Sequence, residues 1–227
     1  MTKVKVAIIQ PSYFPWRGFF SIMSLVDTFV FFDDVQYTRR DWRNRNRFEI
    51  NGDISWLTVP IKSHSRSSKI NQIEVNNEIN WQEKHLKTFS HSYGKTPYFH
   101  DAYNLFSEIK SCNQDSLSEL TISTCKSVAE YLGLKPKFVT SSSLGVDAET
   151  PSKRLALITS GLSGSVYLSG PTASDYLDLE EFTNRKIQVS FKNHDYEPYP
   201  RANRKALGGL SILDLIAFQG PKAVDFL

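Results

Sequence analysis

The chain has 227 residues, with 27 Lys and Arg against 24 Asp and Glu for a net charge of +3. That length builds a sizeable hydrophobic core, and 40% hydrophobic with 22% charged residues excludes a disordered chain. So small a positive balance excludes nucleic-acid binding driven by bulk charge, and a stable nucleic-acid partner is not expected.

The chain opens MTKVKVAIIQPSYFPW, and its apolar run stops after a few residues. This is neither a signal peptide nor a membrane span, so a cytoplasmic location is expected. Val4 to Ile9 reads as a first strand. Pro11 and Pro15 keep the following loop extended, and Gly18 to Val26 carries helical apolar spacing. Phe29 to Phe32 reads as a second buried strand, so strand, loop, helix and strand open a βαβ unit and imply a parallel sheet.

RFEINGDISWLTVPI then holds Asn51-Gly52 between two strand-like runs, a strong hairpin signal. Lys62 to Lys69 is a polar, basic loop. Helices are predicted over Trp81 to Tyr93, Tyr98 to Ile109 and Asp115 to Leu132, the last with Gly133 at its C-cap. KPKFVTSSS is a strand, followed by a helix from Lys153 to Leu162 that Thr150 or Ser152 would cap. SVYLSGP and Ile187 to Phe191 are strands, and LSILDLIAFQG is a terminal helix with Ser211 near its start. No internal repeat or Gly-, Ser- or Pro-rich linker divides the chain, so residues 1–227 are expected to form a single α/β domain. Its core is a Rossmann-like parallel sheet with a β-hairpin and helical insertion. Cys112 and Cys125 read as reduced thiols, with no cysteine zinc site.

Five places carry candidate chemistry. Gln10 ends the first strand, before a loop that leads to a helix N-terminus, which favours anions. A histidine–x–glycine–histidine nucleotidyltransferase signature would fall on Trp16-Arg17-Gly18-Phe19, where both histidines are absent. Asp33, Asp34 and Gln36 follow the second strand, and adjacent carboxylates can hold magnesium or accept protons. Alternatively Asp33 caps a turn and Asp34 pairs with Arg39 or Arg40. Asn44, Arg45, Asn46 and Arg47 combine planar cationic forks with amides, a match for phosphate flanked by hydroxyls. Trp42 among these cations also allows a stacked base or sugar, and a plain solvated hairpin fits as well. Ser169, Gly170 and Asp175 lie in SGPTASDYL, at a strand end that suits an anion or simply a turn. Of the five histidines none has a metal-binding spacing. His85, on a helix with Trp81, is the candidate base.

QPSYFPWRGFF, DDVQY, NRNR, WLTVPI, the Trp81-x-x-x-His85 pair, YLSGPTASDYL and LSILDL together resemble the WbqC-like protein family, in order and over almost the whole chain. The resemblance implies a role in bacterial O-antigen or other surface-polysaccharide (lipopolysaccharide) biosynthesis. It further implies a glycine transferase that attaches the amino acid to the amine of a nucleotide-linked amino sugar. The donor would be an amino acid activated with ATP and Mg2+, by analogy with pantothenate synthetase, or an aminoacyl-tRNA. In that setting Arg45 and Arg47 would meet the diphosphate, Asn44 and Asn46 the hydroxyls, and Asp33 or Asp34 the ammonium. Gln10 would face them and His85 would be the base. The alternatives are a magnesium-dependent glycosyl- or nucleotidyltransferase using Asp33 and Asp34, and a non-catalytic nucleotide-sugar or nucleic-acid binding module.

Overall fold

Five short apolar runs become five parallel strands. In the computed structural model, which describes residues 3–111, 115–205 and 207–227, these are β1 (Lys5–Ile9), β2 (Thr28–Phe31), β5 (Lys137–Thr140), β6 (Val166–Ser169) and β7 (Gln188–Phe191). They pair in the order β5-β2-β1-β6-β7, every neighbour parallel, with Val6 opposite Thr28 and Tyr167 opposite both Val6 and Val189. The expected α/β parallel sheet is therefore present. The remaining strands, β3 (Arg45–Ile50) and β4 (Asp53–Thr58), form the expected antiparallel hairpin. Its two-residue turn has φ of 54° at Asn51 and 88° at Gly52, the left-handed pair that fits the twist of a hairpin.

The helices are α1 (Arg17–Ser24), α2 (Trp81–Tyr93), α3 (Phe99–Ser107), α4 (Leu117–Tyr131), α5 (Pro151–Gly161), α6 (Leu179–Thr183) and α7 (Ile212–Gln219). Their starts follow from local chemistry. The Thr150 hydroxyl accepts from the Lys153 amide with Pro151 in the first turn, the Ser116 hydroxyl accepts from Glu119, and the Ser211 hydroxyl accepts from Leu213. The predicted Tyr98 to Ile109 helix is shorter, because a 3-10 turn at Glu108–Lys110 tightens its end. The five-residue α6, capped by Asp178, is too short to show a period in the sequence.

The chain forms two compact units, each assembled from separated segments. The first holds residues 1–10, 21–34 and 135–195 and contains the parallel sheet. One face of that sheet packs Val6, Ile8, Val30 and Tyr167 with Leu155, Ile158, Phe182 and Ile187. The second holds residues 11–20, 35–134 and 196–227. It contains the hairpin, α2, α3, α4 and α7 around an aromatic core: Phe14 and Phe48 meet Phe106 at 5.1 and 5.7 Å, and Phe89 stacks on Tyr93 at 4.4 Å. No helix among the described residues is long and apolar enough to cross a membrane.

Candidate functional site

The strand order reverses between β1 and β6, since the chain builds outward from β1 through β2 to β5 and then returns to β1's other side. In open parallel sheets such a reversal leaves a crevice at the carboxyl ends of the two central strands, where ligands bind. β1 ends at Ile9, so Gln10 is the first residue past that edge; β6 ends at Ser169, with Gly170 next. Gln10, Ser169 and Gly170 are all half-buried. The Ser169 side chain hydrogen-bonds the Tyr167 hydroxyl two residues back on the same face. A Cβ on Gly170 would lie 3.4 Å from Nε2 of His194, so this imidazole borders the same strand end. Burial and nearby Lys192 lower the proton affinity of His194 below the ordinary imidazole value, against a smaller opposing effect of Asp195. Asp175 closes the 3-10 turn Pro171–Asp175 beyond Gly170; it is exposed and accepts a bond from the Ser174 hydroxyl at 3.1 Å.

Asp33 and Asp34 lie past the end of β2, but their oxygens are engaged. Asp33 accepts from the Ser142 amide at 3.0 Å and the Ser142 hydroxyl at 2.7 Å, so it caps the turn Ser141–Leu144. Asp34 pairs with Arg154 of α5 rather than with Arg39 or Arg40, and Arg154 also donates to the Val146 carbonyl and packs over Phe32. The Ser141 hydroxyl lies 3.1 Å from an oxygen of Asp33 and 2.5 Å from one of Asp34, one proton for two acceptors. Each oxygen of the two acids thus already accepts at least one hydrogen bond. Among the described residues no three His, Cys, Asp or Glu side chains converge into a group suited to a metal.

The NRNR segment is also spent internally. Strand alternation turns Asn44 and Asn46 inward, both buried. Asn44 accepts from the Tyr37 hydroxyl and donates to the Val59 carbonyl, while Asn46 donates to the carbonyls of Tyr13 and Phe14 at 3.0 and 2.7 Å. Those bonds hold the loop after β1, where Phe14 is kept at φ 40°. Both donors of the Asn46 amide are used in this way.

The outward pair is tied as well. Arg45 donates to the Arg40 carbonyl and lies 4.1 Å from the Trp56 ring centre. Arg47 donates to the Gly209 carbonyl at 3.1 Å and lies 5.4 Å from Trp42. Each guanidinium therefore spends part of its five-donor fork on this unit's own backbone.

His85 is a core residue. It is 4% exposed, its ring 5.2 Å from Trp81 and 5.9 Å from Tyr13. The Tyr13 hydroxyl is 2.9 Å from Nδ1, and a hydrogen bond joins the ring to the Thr58 carbonyl. A carbonyl only accepts, so Nε2 carries the proton and Nδ1 accepts from Tyr13. Burial pushes the His85 pKa down to about 4. A neutral ring with both nitrogens hydrogen-bonded holds the Tyr13 loop in place.

Gln36 pairs with Lys69 in an isolated bridge and donates to the Arg66 carbonyl at 2.8 Å, on the rim of a cleft of about 520 Å³. Cys112 lies outside the described residues. Cys125 is buried, its thiol donates to the Ser12 carbonyl at 3.5 Å, and burial raises its pKa to about 12, which suits an inert thiol.

One cluster went unread in the sequence. Asp214 of α7 is fully buried and accepts from the Tyr93 and Tyr199 hydroxyls at 2.9 and 2.5 Å and from Arg201 at 2.6 and 2.9 Å. Arg201 also pairs with buried Glu49. A lone acid inside LSILDLIAF was the available signal, since an apolar helix tolerates one only with a partner.

The model of the WbqC-like protein family matches residues 10–226. A Mycobacterium tuberculosis protein (strain ATCC 25618 / H37Rv) named "Uncharacterized protein Rv1507c" is 33% identical over 228 residues, covering 98% of this chain and 97% of that protein. No solved structure matches. With a match running from the end of β1 past α7, the chain belongs to the WbqC-like protein family.

Proposed function

We propose that this WbqC-like protein is a transferase of bacterial surface-polysaccharide biosynthesis that joins an amino acid, glycine foremost, to the amine of a nucleotide-linked amino sugar. The observation that carries this reading is the strand-order reversal between β1 and β6, with Gln10, Ser169 and Gly170 at its carboxyl edge. The family's association with O-antigen assembly supplies the substrate class. In the reaction the neutral sugar amine attacks the carbonyl of an activated acyl donor. The C–N bond forms, the bond from the acyl carbon to its leaving oxygen breaks, and the ammonium proton must be removed.

With His85 enclosed, the imidazole beside the strand edge is His194. Its lowered proton affinity keeps it neutral at pH 7 and able to accept that proton. Gln10 would orient the sugar by hydrogen bonding, and the Gly170 backbone allows close approach of the substrate. The donor is either an aminoacyl adenylate made with ATP and Mg2+ or an aminoacyl-tRNA.

Mass spectrometry tests the reading. dTDP-linked and GDP-linked 4-amino sugars are incubated with the protein plus glycine, ATP and magnesium, or plus glycyl-tRNA. The expected product is a sugar nucleotide heavier by one glycyl group, and the productive mixture identifies the donor. No adduct in either, together with no calorimetric binding of the sugar nucleotides, would refute it.

A further inference from the structure

The polar loop Lys62 to Lys69 runs beside residues 35–37 in the second unit: Tyr37 donates its amide to the Ser68 carbonyl, and Ile70 donates to Val35. Between them opens the cleft of about 520 Å³, lined by Gln36, Tyr37, Thr38, Arg39, His64 and Arg66. This is within the size range of small-molecule sites. Arg39 and Arg66 are both exposed, and neither guanidinium has an ion pair among the described residues. Asp41, the acid that acts on Tyr37, is engaged elsewhere: it accepts from the Thr38 hydroxyl at 2.7 Å and pairs with Arg43 at 3.6 Å. Among the described residues no carboxylate lines the cleft.

His64 adds a second, independent feature. Its Nδ1 is 3.1 Å from the Lys62 carbonyl, so that nitrogen carries a proton. Its Nε2 is shielded and has no hydrogen-bond partner among the described residues. The Tyr37 ring meets the imidazole edge-on at 5.2 Å. The charged and titratable groups sharing the cleft wall with it are Tyr37, Arg39 and Arg66, with the Lys62 ammonium turned to Glu74. In the neutral ring Nε2 offers only a lone pair, which gives an oxyanion nothing. A second proton converts it into a donor.

We propose that this cleft binds the diphosphate group of a phosphorylated small molecule on Arg39 and Arg66, and that binding draws a proton onto Nε2 of His64. The inference stands apart from the acyl-transfer reading, since a diphosphate can belong to the nucleotide-linked sugar or to ATP. Both guanidiniums present planar forks matched to phosphate oxygens, and binding is linked to protonation because only the charged ring donates at both nitrogens.

The test is calorimetry of the full-length protein with inorganic pyrophosphate near neutral pH, repeated in buffers of different ionisation enthalpy. Pyrophosphate should bind with uptake of a fraction of a proton. Arg39→Ala and Arg66→Ala should each weaken binding roughly ten- to a hundredfold, the range of a charge-assisted contact. His64→Gln should still bind, because its amide donates without titrating, but without proton uptake. Parallel titrations with a dTDP-linked amino sugar and with ATP identify which diphosphate the cleft accepts. No binding of pyrophosphate, equal affinity in the Arg39→Ala, Arg66→Ala double variant, or unchanged proton uptake in His64→Gln would each overturn the proposal. Because the site is read by binding alone, failure of glycyl transfer leaves this result independent.

Discussion

Replacing His85 by Gln should remove a specific pH dependence from the stability of the protein. The folded ring has a pKa of about 4 against an ordinary 6.5, because burial opposes its charge. Above about pH 6.5 the ring is neutral in both states and adds no slope. Between 6.5 and 4 the unfolded chain binds a proton that the folded ring refuses, so unfolding free energy falls as pH falls, and below about 4 the loss is complete. At about 1.4 kcal/mol per tenfold change in proton affinity, the full loss is about 3 kcal/mol, most of it reached by about pH 4.5. At neutral pH His85→Gln should itself cost roughly 1–3 kcal/mol, because the Tyr13 hydroxyl and Thr58 carbonyl lose well-placed partners. Urea unfolding of both proteins from about pH 4.5 to 7.5 reads the difference. The deficit of the variant should shrink steadily as pH drops. A deficit that stays constant across that range refutes the claim that His85 is buried neutral.

Three further outcomes are expected. Asp214→Asn should lower unfolding free energy by about 3–5 kcal/mol, since it leaves buried Arg201 without its main counter-charge, and thermal unfolding at pH 7 would reveal it. Gly18→Ala should destabilise by roughly 1–3 kcal/mol, because the new methyl would lie 2.3 Å from the Trp16 ring, while Gly208→Ala, with nothing within 4 Å, should be close to neutral by the same assay. Gln10→Ala should weaken calorimetric binding of the nucleotide-linked amino sugar about tenfold, as one lost hydrogen bond would; full affinity would remove Gln10 from the proposed site.

Much of the fold is written in local signals. The parallel sheet follows from apolar runs at Val4 to Ile9 and Phe29 to Phe32, the hairpin from Asn51-Gly52, and the helix starts from Thr150 and Ser211. The division into two units left no trace, because each is assembled from interleaved segments and therefore needs no linker. The partners of the polar clusters were hidden for a related reason. Asn46 satisfies carbonyls at positions 13 and 14, and Asp34 finds its cation at Arg154, partners that no local spacing reveals. Strand alternation alone could have turned Asn44 and Asn46 inward, yet an inward amide is recognised only once its distant carbonyl is known. That Gln10, Ser169 and Gly170 stand at strand ends was legible because a strand end is a local event.

The pairing of β2 with β5 has a consequence for how the chain folds. Thr28 meets Lys137 and Phe31 meets Thr140, although most of the second unit is strung between them. Joining these strands early would confine a long, disordered loop, and that entropic cost weighs against non-local contacts in the transition state. Prior collapse of residues 35–134 around their own aromatic core would draw the two ends together and shorten the effective loop. The sheet would then be completed last on that side, and a ribosome-bound chain would have to expose the β2 edge until Lys137 to Thr140 emerged. Premature truncation within the excursion would leave that edge open to another chain.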